Sequence, residues 1–296
     1  MSDRIAVALC TRDGEAFVGE QLRSILMQRR PPDELILCDD ASVDGTLAIA
    51  REALRGAPFR VETVENEAAL GAAANFESAL RRTTAEIVAL CDQDDRWRPE
   101  KLERLAAAMA APGVVAAFSD GALVDAKGSL LPQTLWRAHG IGPRAGRRLV
   151  GGQVLGQLLR WNVVTGATLA VRRSVLEVAL PFPEHTLHDE WLALIAAGLG
   201  RVVAIPDLLI DYRVHTASTL GLPPQRLASL TTERRLDAEV RRQEAQRYGE
   251  ASERLHAAGR HEQAAAVAAK AEFCRRRSAL RRTTAEIVAL CDQDDR

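Results

Sequence analysis

Short apolar runs alternate through much of the chain with stretches whose apolar residues recur at helical spacing, and this alternation narrows the fold more than any other feature. Ile5 to Leu9 is followed by Val18, Leu22, Ile25 and Leu26, then Leu35 to Cys38, then Leu47, Ala50 and Leu54. Val61 to Val64, a helix over Leu70 to Leu80, and Ile87 to Leu90 continue it. A helix through Leu102, Leu105 and Met109, started by Pro99, and a strand over Val114 to Phe118 come next. Parallel strands need right-handed helical crossovers, so the expected fold class is α/β with a mostly parallel central sheet flanked by helices.

Such a sheet binds ligands beyond the carboxyl ends of its strands, where the chain turns into the next helix. Three polar segments fall there: Cys10 to Gly14 after the first strand, Asp39 to Thr46 after the second, and Asp92 to Asp95 after the fourth. They are expected to share one rim. Asp92, Asp94 and Asp95 repel one another, and a hard divalent cation such as Mg²⁺ or Mn²⁺, which prefers oxygen ligands, relieves that repulsion. A solvated turn is the alternative for these acids, and capping of the helix that begins near Thr46 is the alternative for Asp39 and Asp40.

Ser78 to Arg96 recurs letter for letter as Ser278 to Arg296. Repeat architectures stack three or more units, whereas here a single fragment appears twice. The second copy lacks the equivalents of Trp97, Pro99 and the helix after them, so a metal is assigned to the first copy alone. The second is read as a passive tail or an error of sequence assembly.

Beyond the fourth strand the pattern loosens. Gly128 to Gly152 shows Gly, Pro and Arg without clear periodicity and reads as a long loop. A strand over Ala167 to Val171, a helix opened by His188-Asp189-Glu190-Trp191 and a strand over Val202 to Ile210 follow. From Pro224 the composition shifts to Arg, Glu, Gln and Ala, with a thin stripe of Leu227, Leu230, Leu236 and Val240, which reads as a helical appendage. The expected division is 1–222 as a catalytic domain and 223–296 as that appendage.

Net charge of -1 gives no overall electrostatic footprint for nucleic acid, although Arg dominates the basic residues. No apolar run reaches the roughly 18 to 20 residues that span a bilayer, and Met1 to Leu9 carries Asp3 and Arg4 in place of a signal-peptide core, so a cytoplasmic location is expected. Cys10, Cys38 and Cys91 sit at strand ends without metal or redox spacing and read as reduced packing residues.

With the acids placed, the chain resembles the family 2 glycosyltransferases, in particular their bacterial rhamnosyltransferase-like branch. The resemblance runs from Ile5 to about Gly221. It is carried by Val7-Ala8-Leu9-Cys10-Thr11, Pro32 to Asp40, Leu70-Gly71, Asn75-Phe76, Asp92-Gln93-Asp94-Asp95-Arg96-Trp97, Val164-Thr165-Gly166, His188-Asp189-Glu190-Trp191 and Tyr212-Arg213-Val214-His215. It implies a GT-A fold and an inverting, metal-dependent transfer from a nucleotide-diphospho-sugar to a hydroxyl of a cell-surface polysaccharide or lipid-linked glycan. The branch points to rhamnose carried on thymidine diphosphate.

Residue by residue, the resemblance makes Asp40 the reader of the nucleotide base with Thr11 beside it, Asp94 the principal metal ligand, and Asp92 the other acid of the DxD pair, facing ribose or metal. Asp95 orients the sugar, and Asp189 matches the catalytic base. Relatives commonly carry Tyr-Asn where this chain has Arg12-Asp13, a departure at the base-stacking position. The chemistry of the residues agrees: a leaving diphosphate needs its developing charge neutralised, and an acceptor hydroxyl needs a carboxylate to take its proton.

For Asp189 the competing role is to cap its helix. His215 is placed to ligate the metal or touch the diphosphate, or else to be a satisfied surface histidine. Trp191 is the aromatic chosen to face a sugar, although large aromatics more often fill cores. The Arg pairs of the tail permit contact with anionic lipid, yet interspersed Glu and Asp fit a solvated helix face. Three rivals remain. A sugar nucleotidyltransferase calls for a Gly-rich loop after the first strand, where only Gly14 stands; a phosphatase with an Asp nucleophile calls for that Asp where Cys10 and Thr11 stand; and a catalytically inactive scaffold of a polysaccharide-assembly complex needs neither.

Overall fold

A computed structural model of the 296-residue chain describes residues 3–184, 186–215 and 238–279. The alternation appears as β1 (Ile5–Thr11), α1 (Val18–Leu26), β2 (Glu34–Asp39), α2 (Thr46–Ala53), β3 (Arg60–Glu65), α3 (Ala72–Arg82) and β4 (Ile87–Cys91). The chain continues as β5 (Arg96–Trp97), α4 (Lys101–Met109), β6 (Val114–Val124), β7 (Leu130–Thr134), α5 (Leu135–Ala138), α6 (Pro143–Val150) and α7 (Val154–Leu158). A 3-10 turn (Gly166–Thr168) leads into β8 (Leu169–Arg172), α8 (Arg173–Ala179), α9 (His188–Leu199), β9 (Arg201–Arg213), α10 (Ala238–Ala257) and α11 (His261–Ala279).

The sheet order is β3-β2-β1-β4-β8-β6-β9-β5, with β7 paired to β6. β3, β2, β1 and β4 run parallel, and β8 is inserted antiparallel between β4 and β6. Successive side chains of a strand point to opposite faces, and β1 feeds two cores in this way. Ala6, Ala8 and Cys10 join Phe76, Trp191 and Ile195 on one face, while Ile5, Val7 and Leu9 join Leu22, Leu102 and Met109 on the other. The chain winds outward from β1 to β3 and then returns to β4 on the other side of β1. This strand-order reversal opens a crevice past the carboxyl ends of β1 and β4.

Two segments depart from the sequence reading. Residues 128–152, expected as a loop, contain β7, α5 and α6. These elements are short, and of α6 only Leu149 is buried, so the periodicity that would announce them barely shows. The helix expected over Leu70 to Leu80 starts at Ala72, after Gly71 at φ 87°. The apolar stripe Leu227, Leu230 and Leu236 and nearly all of the repeated segment lie outside the described residues.

The helical appendage is present and packs on the α/β layer. Tyr248, Ala251 and Leu255 of α10 and Val267 and Cys274 of α11 share a core with Trp191 and Ile195 of α9. Leu255 is fully buried, and a Cβ on Gly198 of α9 would come within 2.5 Å of its methyl carbons, so the helix meets it along bare backbone. Leu255→Ala is expected to destabilise the chain by about 2–5 kcal/mol, read as a lower urea midpoint. A midpoint unchanged from the parent would show that the α10–α11 hairpin adds nothing to the core.

Candidate active site

β1 and β2 end level with each other, since Thr11 pairs with Asp39 in the parallel register. The Thr11 hydroxyl donates to Asp39 Oδ1 at 2.7 Å, and the amide and hydroxyl of Ser42 donate to the same carboxylate at 2.8 and 2.6 Å. Asp39 is thus consumed by its own turn. Asp40 accepts from the amides of Leu70 and Gly71 at 2.7 and 2.9 Å and from Asn66 Nδ2 at 3.1 Å. Neither acid caps α2, because Asp44 supplies the acceptor for the Thr46 amide at 3.0 Å. Asp40 instead anchors the start of α3. The positive φ of Gly71 lies in a region open to glycine and helps turn two successive amides toward one carboxylate.

Arg12 lies 3.6 Å from Asp40 with more than half of its side chain exposed, so a flat guanidinium borders the Asp40 carboxylate. Its backbone is clamped by Gln93, which accepts from the Arg12 amide and donates to the Arg12 carbonyl, both at 2.8 Å. A Cβ on Gly14 would meet Gln93 Oε1 at 2.1 Å, so this clamp requires glycine there. Asp13 and Ala41, which follow Arg12 and Asp40, both take positive φ. Such non-glycine strain costs about 1–3 kcal/mol each and gathers at functional sites.

Past β4 the three acids separate into different roles. Asp92 is half-buried and receives no hydrogen bond or ion pair from any described residue. Burial, and then the charges of Asp94 and Asp189, push its pKa up to about 7, against the opposing charge of Lys101. Asp94 Oδ2 is hydrogen-bonded to His215 Nε2 at 2.8 Å. Asp95 is 1% exposed; its Oδ1 accepts from the Arg213 amide at 2.9 Å and its Oδ2 has no partner. Burial, and then the charges of Asp94 and Asp92, raise its pKa well above the ordinary carboxylate range. The structure therefore corrects the sugar-orienting reading of Asp95, which pins β9 beneath the site and exposes almost nothing to a ligand.

The supports of this loop were not evident in the sequence. Arg213, considered above only as part of a motif, is buried: Nε donates to the Asp94 carbonyl at 2.7 Å, Nη2 pairs with Glu20 at 2.6 Å, and the guanidinium lies over Phe17. Lys101 is wholly buried, bonded through Nζ to the Ala167 carbonyl and seated 3.8 Å from the Trp97 ring centre. Burial lowers its pKa to about 7.

Asp189 stands in the first turn of α9, whose cap position is Leu187 and has no side-chain acceptor. It accepts from the Gly166 amide at 3.1 Å and the Glu190 amide at 2.7 Å, which fixes its orientation. Burial raises its pKa, while these amides and the charge of Arg247 hold it back. Arg247 of α10 is paired with Glu190. His188 stacks on Phe76 with centroids 3.9 Å apart, neither ring nitrogen has a partner, and burial lowers its pKa to about 3, so it is a neutral spacer. Trp191 is fully buried with Nε1 donating to the Ala179 carbonyl at 2.8 Å. It fills the core and offers no face to a sugar, which corrects the sequence expectation.

The site acids share one field. Asp92 feels Asp94 and Asp189, Tyr212 feels Asp92, Asp94, Asp95 and Asp189, and Cys10 feels both Asp92 and Asp40. Among the described residues no group of three or more His, Cys, Asp or Glu is arranged to hold a metal by itself. A magnesium-like ion does not require such a cage, because it binds through one or two carboxylates plus substrate phosphates and retained water. Asp92, without a protein partner, and Asp94 fit that donor set.

Comparison with known proteins agrees with this geometry. A family model described as Glycosyl transferase family 2 matches residues 6–175. An uncharacterized glycosyltransferase of Nostoc sp. is 25% identical over 218 residues, covering 73% of this chain and 66% of that protein. The UDP-Glc:alpha-D-GlcNAc-diphosphoundecaprenol beta-1,3-glucosyltransferase WfgD of Escherichia coli is 30% identical over 99 residues, 33% of this chain and 38% of that protein. The chain thus spans less than two thirds of the length of either relative. The mannosyltransferase PcManGT of Pyrobaculum calidifontis, solved with GDP-Man and Mn²⁺, shares the fold with a TM-score of 0.57 and 21% identity, over 99% of this chain and 80% of that one. Among the described residues no helix is long and apolar enough to cross a membrane.

Proposed function

This chain belongs to glycosyl transferase family 2, and from that premise we propose that it moves a sugar from a nucleoside-diphospho-sugar to a hydroxyl of a glycan or lipid-linked glycan, with inversion and with Mg²⁺ or Mn²⁺. Thymidine-diphospho-rhamnose is the donor that the resemblance to the rhamnosyltransferase-like branch suggests. The observation that carries this reading is the meeting, past β4 and the start of α9, of Asp92, Asp94 and Asp189, with Asp92 unserved by the protein.

In this reading Thr11, Asp40 and Arg12 border the nucleotide, with Asp40 holding the Leu70–Gly71 backbone against the base pocket. Asp94 and Asp92 would hold the cation, with His215, whose Nε2 lies 2.8 Å from Asp94 Oδ2, available as a further donor. When bound, the cation supplies Lewis-acid neutralisation of the departing diphosphate. Asp189 takes the proton of the acceptor hydroxyl as that oxygen bonds to the anomeric carbon. The bond from that carbon to the diphosphate breaks on the opposite side, and the nucleoside diphosphate leaves.

Thermal melting with a panel of nucleotide-sugars, with and without Mn²⁺, tests the proposal. A matching donor at about one hundred times its Kd adds about 2.7 kcal/mol, a rise of roughly 5–10 °C for a chain of this size. If no nucleotide-sugar or nucleoside diphosphate raises the melting temperature, the reading fails. Metal-dependent binding with no transfer to any acceptor favours the inactive scaffold.

The rate is expected to rise with pH as Asp189 loses its proton, and this limb lies above the ordinary carboxylate range because burial raises the pKa. Arg247→Met removes a charge that favours the ionised carboxylate and moves the limb to higher pH, whereas Arg247→Lys restores it. A pH profile of kcat identical in all three proteins would detach α10 from the base.

A further inference from the structure

Eight Lys and Arg residues and no Asp or Glu lie between Asp125 and Glu177, in a chain whose 39 basic and 40 acidic residues otherwise balance. Two of the eight are used internally: Arg172 pairs with Asp3 at 2.9 Å, and Arg173 donates to the carbonyls of Thr83 and Ala85. The rest lie between Lys127 and Arg160, along the excursion that carries β7, α5, α6 and α7. Arg144, Arg147 and Arg148 sit at i, i+3 and i+4 on α6, share one face, are exposed, and make no ion pair with any described residue. The opposite face is tied down by Leu149, which is fully buried. Val150, at the end of the same helix, is 51% exposed, and Trp161, just past α7, is 41% exposed.

The arginines of the C-terminal hairpin are built differently. Arg242 pairs with Glu239, Arg241 with Glu244, and Arg275 and Arg276 share Glu272, so these four arginines have carboxylate partners within the hairpin. The α6 face has charge without compensation among the described residues, and the same part of the chain carries an exposed indole, the side chain that settles at the headgroup level of bilayers. A nucleic-acid surface accounts for the arginines but not for an open valine beside them.

We propose that the α6–α7 excursion is a peripheral docking surface for an anionic phospholipid bilayer, the arginines of α6 meeting lipid phosphates while Val150 and Trp161 enter the interface. The excursion ends at Thr165, which His139 Nε2 meets at 3.1 Å, and the next residue, Gly166, holds Asp189. Docking there brings the bilayer to the Asp189 side of the site. The surface itself stands independently of the proposed reaction.

Co-sedimentation of the full chain with vesicles of phosphatidylglycerol and phosphatidylcholine in equal parts, against phosphatidylcholine alone, tests this without donor or acceptor. Binding is expected to the anionic vesicles only and to disappear at high salt. The triple variant R144Q/R147Q/R148Q is expected to bind on the order of 100-fold more weakly, about fivefold per charge, with an unchanged melting temperature. The pair R275Q/R276Q is expected to bind like the parent, and Trp161→Phe to abolish most of the fluorescence blue shift on binding. No binding by the parent at low salt, or a triple variant that binds equally well, overturns the proposal. Binding to a single-stranded oligonucleotide but not to vesicles overturns it in favour of nucleic acid.

Discussion

Replacing Asp189 with Asn is expected to lower kcat for sugar transfer by on the order of 10³-fold while the affinity for donor stays within a few-fold of the parent. An amide cannot take the acceptor's proton, yet its oxygen can still accept one of the hydrogen bonds that Gly166 and Glu190 give the carboxylate. The side chain therefore keeps its place while the chemistry is lost. Donor binding should persist because the nucleotide side of the rim is built by the ends of β1 and β2. Turnover within tenfold of the parent would place the base elsewhere. Loss of donor affinity with turnover retained would move Asp189 to the donor side.

The second large effect concerns stability of the cation-free protein. Asp92 has a folded-state pKa of about 7, raised from the ordinary carboxylate value mainly by burial. The folded state thus holds this proton more tightly than the unfolded chain. The stability linked to it is complete below the unfolded value, near pH 4, and is lost as pH rises through about 7. The shift corresponds to at most about 4 kcal/mol, and roughly half of that after allowance for solvent at a half-open rim. Asp92→Asn is expected to remove this loss, so that the variant exceeds the parent in urea midpoint at pH 8 but not at pH 4.5. Mn²⁺ should close part of the gap in the parent and do little for the variant. The titration of Lys101 runs the opposite way, so the difference between the two proteins is the quantity to follow. An equal pH dependence in parent and variant would show that Asp92 carries no such burden.

Much of the strand and helix pattern was legible because it depends on local burial. β4 reads as a strand since every residue from Ile87 to Cys91 is buried, and an uninterrupted apolar run ending in acids suits a central parallel strand. Asp92 and Asp94 stood out as acids at the end of an apolar run, whereas Asp189 was singled out through the family resemblance, its own position fitting a helix cap as well. Gln93, Lys101 and the pairing of Arg247 with Glu190 left no comparable trace, for their partners are distant in the chain and each looks alone like a surface residue. Gly14 was the one available hint, since its lack of a side chain leaves room for Gln93.

The distinction between roles within a single motif lay further out of reach. Asp92, Asp94 and Asp95 are equivalent as letters. The surroundings make the first a carboxyl whose pKa is pushed up to about 7, the second a partner of His215, and the third a clasp on β9. Trp191 reads equally well as a sugar platform or a core residue until α10 packs over it and Arg254 covers its ring.

Sequence alone determined that this chain alternates strand with helix and that its acids collect at strand ends, because periodicity and like-charge repulsion act between near neighbours. Tertiary structure alone decided which acids face solvent, which are buried, that β8 enters antiparallel, and that α10 reaches the neighbourhood of Asp189. Those outcomes depend on desolvation and on charges brought together from remote segments, and neither quantity exists until the chain has closed around them.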